Sequence, residues 1–214
     1  MQAVFENLDV LLEGMRTTAS LTVTSFAFAL AIGILVATAR VGPVPPLRWA
    51  GAVYVELFRN TPLAVLMVLY LFGLPKVGIL FTPYVTALIA LSLYTGAFVA
   101  ETVRSGINTV SSGQLEAARG LGLRFTQVLA AVVVPQALRS VVAPLGSIFS
   151  ALIRNSAVAF TISVPELSGR VDDLINQTAQ TVPLLVGAAV AYLMLTIPSG
   201  LAFGVLERRV AIKR

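Results

Sequence analysis

Two arginines lie where a charge is least expected. Arg59 precedes Asn60-Thr61-Pro62 and Arg154 precedes Asn155-Ser156, each inside an otherwise apolar run. A charge at the centre of a bilayer costs at least about 2.5–3.5 kcal/mol, so such residues face a partner or an aqueous cavity. A guanidinium is a planar fork of donors that meets a carboxylate edge-on. The chemistry on offer is therefore reversible binding of an anion. Glu56, within one helical turn, is the expected neutralising partner of Arg59. Arg154 has no acid near it in sequence. With Asn155 and Ser156 it is read as lining a path that binds a carboxylate, against the competing reading of an arginine snorkelling to the interface on its apolar stem. Thr61 and Thr95 are further hydroxyls for the same path.

Bond-making chemistry has little to work with. The chain holds no histidine and no cysteine, which removes the commonest general base, the commonest metal ligand and any thiolate. No Gly-x-x-x-x-Gly-Lys-Ser/Thr phosphate loop occurs, so ATP is not cradled here in that way. No metal site, no cofactor and no enzymatic activity is expected of this chain.

A second polar island spans residues 112–122. Ser111 and Gln114 have capping-box spacing, Glu116 suits the positive end of a helix dipole, and Gly120 and Gly122 allow a sharp exit. Leu115, Ala118 and Leu121 are read as one face, and the small Ala117 and Ala118 as an approach for another backbone. The plain alternative is a solvated loop helix.

The elements that position these residues follow from composition. With 57% hydrophobic and 12% charged residues, 214 residues cannot fold as an ordinary soluble domain. An all-α integral membrane domain of five spans is predicted, about 17–39, 50–72, 83–103, 140–164 and 182–206, because about 20 apolar residues cross about 30 Å of hydrocarbon. Pro62 predicts a kink or break in the second span. Residues 1–16 are read as an amphipathic surface helix, with acids rather than the basic start of a cleavable signal. Residues 105–139 and 165–181 are read as polar loops, and Glu101 with Arg104 as an i,i+3 ion pair.

The net charge of +5 is explained by topology rather than by nucleic acid. Placing the C-terminus inside puts Arg40, Arg48, Arg104, Arg119, Arg124, Arg139 and the tail cations Arg208, Arg209, Lys213 and Arg214 in the cytoplasm. The positive-inside rule then gives N-terminus outside, C-terminus cytoplasmic. No internal repeat divides residues 1–214, which are read as a single domain.

Glu116-Ala117-Ala118, Gly122 and then Val132, Val134 and Pro135 resemble the signature loop of importer-type ATP-binding-cassette permeases. Tyr54 to Pro62, Val134 to Arg139 and Val164 to Leu167 are similar to segments of polar amino-acid permeases. Leu93-Tyr94-Thr95, Phe98 to Glu101 and Arg104 to Val110 resemble actinobacterial glutamate-type permeases. The resemblance implies a type I importer permease in a bacterial cell membrane. It implies a coupling helix at 112–122, in which Gln114, Leu115, Glu116, Ala117, Ala118, Gly120, Leu121 and Gly122 dock on a cytoplasmic ATPase dimer. It further implies ATP and Mg on that ATPase, a second permease subunit (for glutamate-type systems a paralogue) and an external solute-binding protein. Glutamate or a related polar or acidic amino acid is the implied solute, with Arg59, Thr61, Thr95, Arg154, Asn155 and Ser156 along its path. The rival reading is an ion-gradient-driven carrier that uses Glu56, Arg59 and Glu101 as a charge relay. A membrane-embedded enzyme is disfavoured by the missing nucleophiles and bases.

Overall fold

Backbone N–H and C=O groups find no water in hydrocarbon, so long apolar runs must satisfy them internally, as helices. In the computed structural model, which describes residues 2–210, every regular element is helical. The predicted tail cations Lys213 and Arg214 lie outside the described residues. The helices are α1 (Gln2–Glu6), α2 (Leu8–Val41), α3 (Pro45–Asn60), α4 (Leu63–Gly73), α5 (Pro83–Asn108), α6 (Ser112–Gly120), α7 (Phe125–Val128), α8 (Val134–Asn155), α9 (Leu167–Thr178) and α10 (Thr181–Val210). Four stretches are long and apolar enough to cross a membrane: α2, α5, the run 125–162 containing α7 and α8, and α10. The fifth candidate is α3 with α4 and the 3-10 turn after it, bent by 104°.

The predicted break at Pro62 is real and sharper than a kink. Proline has no N–H and forces the residue before it out of helical geometry. Thr61 and Pro62 are both extended, with ψ of 130° and 133°. The carbonyls stranded at the end of α3 are met by side chains: Thr61 Oγ1 donates to Leu57 O at 2.7 Å and Asn60 Nδ2 to Glu56 O at 2.9 Å.

Other boundaries differ from the sequence reading. Residues 1–16 are not one surface helix, since α2 runs unbroken from Leu8 through the first span. Leu11 is buried with Leu167, Val171 and Leu174, and Glu13 pairs with Arg170 at 2.7 Å, so the early turns have partners on α9. The stretch 165–181 is not a loop but largely that helix. Glu166 caps it and is itself fully buried, accepting from Gly169 N at 2.8 Å, Tyr192 Oη at 2.9 Å and Thr18 Oγ1 at 3.2 Å. Burial pushes the Glu166 carboxyl above its ordinary range, and the hydrogen bonds it accepts only partly offset that shift.

Helix also starts well before Ser140. The chain is helical from Phe125, and it accommodates Pro135 by widening into a π-helical turn over Leu129–Val133. There Val134 N bonds Leu129 O, five residues back, so the chain stays helical up to a residue that cannot donate.

α2 and α5 pack along most of their length. Without a hydrophobic drive between helices in lipid, close approach through small residues supplies the contact. A Cβ on Gly33 would lie 2.4 Å from Val99 Cγ1, and Ala87, Ala90, Ala97 and Ala100 are fully buried on α5. Phe26 of α2 meets Phe149 of α8 and Phe203 of α10 edge to face, with Phe26 and Phe149 centroids 4.9 Å apart, and Phe149 and Phe203 pack against each other at a tilt.

Candidate functional site

α6 is a capped helix on an apolar seat. Ser111 Oγ accepts from Gln114 N at 3.4 Å, the first half of the predicted capping box. The reciprocal bond, from Ser111 N to the Gln114 side-chain oxygen, is not made among the described residues. It occurs instead at α7, where Arg124 N donates to Gln127 Oε1 at 2.8 Å. The C-terminus closes in a Schellman motif: Gly122 N bonds Arg119 O at 2.9 Å, and Leu123 N bonds Ala118 O at 3.2 Å. Gly122 has φ +78°, which an L side chain resists. Gly122 therefore stops the helix, while Gly120 remains inside it.

Below α6, Ala118 is buried and Leu115 and Leu123 are half-buried against Ile107 and Val110 from the end of α5 and Val128 and Val133 from α7 and the π turn. Leu121 does not share that face: it is 82% exposed, as it lies at the C-cap and points away. Gln114, Glu116, Ala117, Gly120 and Gly122 are also exposed, and Phe125 beside them is 74% exposed. α6 thus presents a shallow face of small residues flanked by two large apolar side chains and one free carboxylate.

Separately, a groove runs between α5 and α8. A cavity of about 250 Å³ is lined by Thr95, Phe98, Ile148, Ala151 and Asn155. It meets one of about 530 Å³, lined by Arg59, Phe98, Glu101, Thr102, Ser147 and Ile148. A third of about 330 Å³ continues past Glu101 and Thr102 to Ser105, Thr109 and Ser140. Because neighbouring cavities share residues, they form one groove, about 21 Å long from Thr95 to Thr109 at helical rise.

The six predicted path residues do not converge. Thr95 and Asn155 both line the first cavity, and Arg59 lines the second with its guanidinium 5.4 Å from the Phe98 centroid. Thr61 spends its hydroxyl on the break. Ser156 is fully buried and bonds Ile153 O at 2.8 Å. Arg154 lines a cavity of about 420 Å³ between α8 and α10 with Ser150, Gly200 and Glu207, which borders the Arg59 cavity through Ala143 and Ser147. Successive helical residues turn by about 100°, so Arg154, Asn155 and Ser156 cannot share a face.

The charge relay is not assembled either. Glu56 accepts from Asn60 Nδ2 at 2.9 Å instead of meeting Arg59. The predicted Glu101–Arg104 pair forms, and Arg40 at the end of α2 joins it. Arg40 is one residue the sequence reading missed, because its partner is on another helix. The hydroxyl stripe Thr102, Ser105, Thr109 on α5 and Ser140, Ser147 on α8 is another. Its signal was present in the helical spacing of Thr95, Thr102 and Thr109.

A broken span, a groove carrying hydroxyls and an arginine along an apolar bundle, and a helix seated at the ends of the groove walls are features that suit a membrane permease. Solved structures of this class superpose on it: "Crystal structure of an amino acid ABC transporter with histidines" has a TM-score of 0.91, 26% identity and 97% coverage of both chains. A MetNI methionine transporter in an inward-facing conformation, at 22% identity and a TM-score of 0.79, covers 97% of this chain and 99% of its own and shares the fold. The chain belongs to the family described as binding-protein-dependent transport system inner membrane component, which matches residues 29–212. It is 36% identical over 217 residues to the glutamate transport system permease protein GluC of Corynebacterium glutamicum, covering 95% of each chain. It is 34% identical over 206 residues to the probable glutamine ABC transporter permease protein GlnM of Bacillus subtilis, covering 96% of this chain and 95% of that one. It is thus an inner-membrane permease subunit of an amino-acid importer that works with a cytoplasmic ATPase and a solute-binding protein.

Proposed function

We propose that this permease carries glutamate or a related acidic amino acid along the α5–α8 groove, driven by ATP hydrolysed on a separate ATPase dimer. The observation that carries the reading is the charge around the groove. Arg59 and Glu101 line the same cavity, and Glu101 is already held by Arg40 and Arg104, so the guanidinium of Arg59 gives the groove an uncompensated positive charge that favours a solute with a surplus negative charge. The similarity to a glutamate permease points the same way.

Energy enters at α6. Its exposed face, from Gln114 through Gly122, sits in a cleft of the ATPase, with the N-terminus of the chain outside and the C-terminus cytoplasmic. Its seat joins the end of α5 to the start of the α7–α8 run, and these two elements are the walls of the groove. A displacement of α6 therefore acts on both walls at once. The π turn at Leu129–Val133 is the compliant element between α6 and α8. A second permease subunit, a paralogue, closes the open side of the groove, and a loaded solute-binding protein delivers from outside. ATP and Mg stay on the ATPase. ATP closure biases two states of the bundle that are close in energy.

Reconstitution with the ATPase and binding protein tests this. ATP-dependent uptake of glutamate or aspartate should exceed that of glutamine and of a basic amino acid. Uptake by this chain alone under a proton or sodium gradient, indifferent to ATP, would overturn the reading.

A further inference from the structure

We infer that Arg59 binds the side-chain carboxylate of the transported amino acid and so sets the preference for an acid over its amide. The inference rests on the α5–α8 groove being the substrate path.

Among the described residues Arg59 has no acid partner. Glu56, on its own helix, is engaged by Asn60, and both oxygens of Glu101 are engaged by Arg40 and Arg104. The Arg59 guanidinium carbon lies over the face of the Phe98 ring, 5.4 Å from its centroid. Among the described residues no acceptor takes its N–H groups, which leaves the fork available to a carboxylate.

Position supports the same assignment. Phe98 and Ile148 line both the Thr95 cavity and the Arg59 cavity, so the Phe98 ring under the Arg59 guanidinium stands where the two meet. The larger cavity, about 530 Å³, lies within the ~300–1,000 Å³ range of small-molecule sites. Thr102 and Ser147 line the same cavity and offer hydroxyl acceptors for the ammonium group. An amide isostere would leave the guanidinium with only a neutral acceptor, and loss of a charge-assisted pair discriminates strongly.

The test is equilibrium dialysis of labelled glutamate and labelled glutamine against the permease–ATPase complex without binding protein, for wild type, Arg59→Gln and Arg59→Lys. Arg59→Gln should weaken glutamate at least tenfold and glutamine less than threefold, and retained glutamine binding reports an intact groove. Arg59→Lys, which keeps the charge but not the fork, should fall between wild type and Arg59→Gln for glutamate. Equal weakening of both amino acids, or undiminished glutamate binding in both variants, would overturn the inference. Failure of the wild type to bind or import either amino acid would instead overturn the substrate reading on which it rests.

Discussion

Arg40, in the last turn of α2, bonds Glu101 on α5, although the two are 61 residues apart in sequence. Arg104 holds the same carboxylate from one turn further along α5. The triad ties the end of the first span to the wall of the groove where it borders the third cavity.

Replacing Glu101 by Gln leaves two guanidiniums beside each other with no counter-charge. The group is only partly buried, so the cost should fall between that of a surface pair and a buried one, about 1–3 kcal/mol. A thermal-stability double-mutant cycle with Arg40→Gln should give a coupling above about 0.5 kcal/mol. Strict additivity would show that the Arg40 contact is not energetic.

On α6 two substitutions should separate folding from docking. Gly122→Val forces a β-branched residue into a left-handed φ of +78°, at about 1–2 kcal/mol. It should loosen Leu123 from its seat and lower both stability and ATPase stimulation by loaded binding protein. Leu121→Asp alters a side chain that is 82% exposed, and melting should move by no more than about 0.5 kcal/mol equivalent. ATPase association should nevertheless weaken. Unchanged association and unchanged stimulation in both variants would remove α6 from the coupling path.

The natural sequence has no cysteine, so single thiols can map the groove without background. Thr102→Cys and Ser147→Cys, which line the middle cavity, should react with a charged, membrane-impermeant thiosulfonate, and excess transported amino acid should slow the reaction. Ser25→Cys, at a fully buried position, should stay unreactive. Similar rates at all three positions would contradict a defined aqueous groove.

Glu166 should give the protein a pH-dependent stability term. Its folded pKa is raised above the ordinary value of 4.5 by burial, so the folded state holds the proton more tightly than the unfolded one. That contribution is fully present below about pH 4.5 and is lost as pH rises through the raised value. Glu166→Gln does not titrate. The melting difference, wild type minus variant, should therefore fall as pH is raised from 4.5 to 7. A difference independent of pH would mean that Glu166 titrates alike in both states.

Much of this architecture is legible in order along the chain. The apolar runs around 17–39, 83–103 and 182–206 fix three spans because hydrocarbon leaves the backbone no alternative to helix. Pro62 fixes the break, and Ser111 and Gly122 fix the ends of α6, because capping and positive φ are local requirements. Boundaries fail where a distant partner changes what a local pattern means. Residues 1–16 read as a surface helix until Leu167 and Arg170 cover Leu11 and Glu13, and 165–181 read as a loop until Leu11 and Thr18 pack against it.

By itself the sequence determined a membrane-spanning helical protein with a terminated polar helix and intramembrane arginines, since length, hydropathy and turn chemistry are properties of neighbours along the chain. Only the tertiary structure decided what surrounds each arginine. Arg59 lies over the Phe98 ring in the cavity against α5, whereas Arg154 lines the cavity against α10 beside Glu207. The physical reason is rotation: side chains turn by about 100° per residue around a helix, and which direction becomes a groove depends on where the other helices pack.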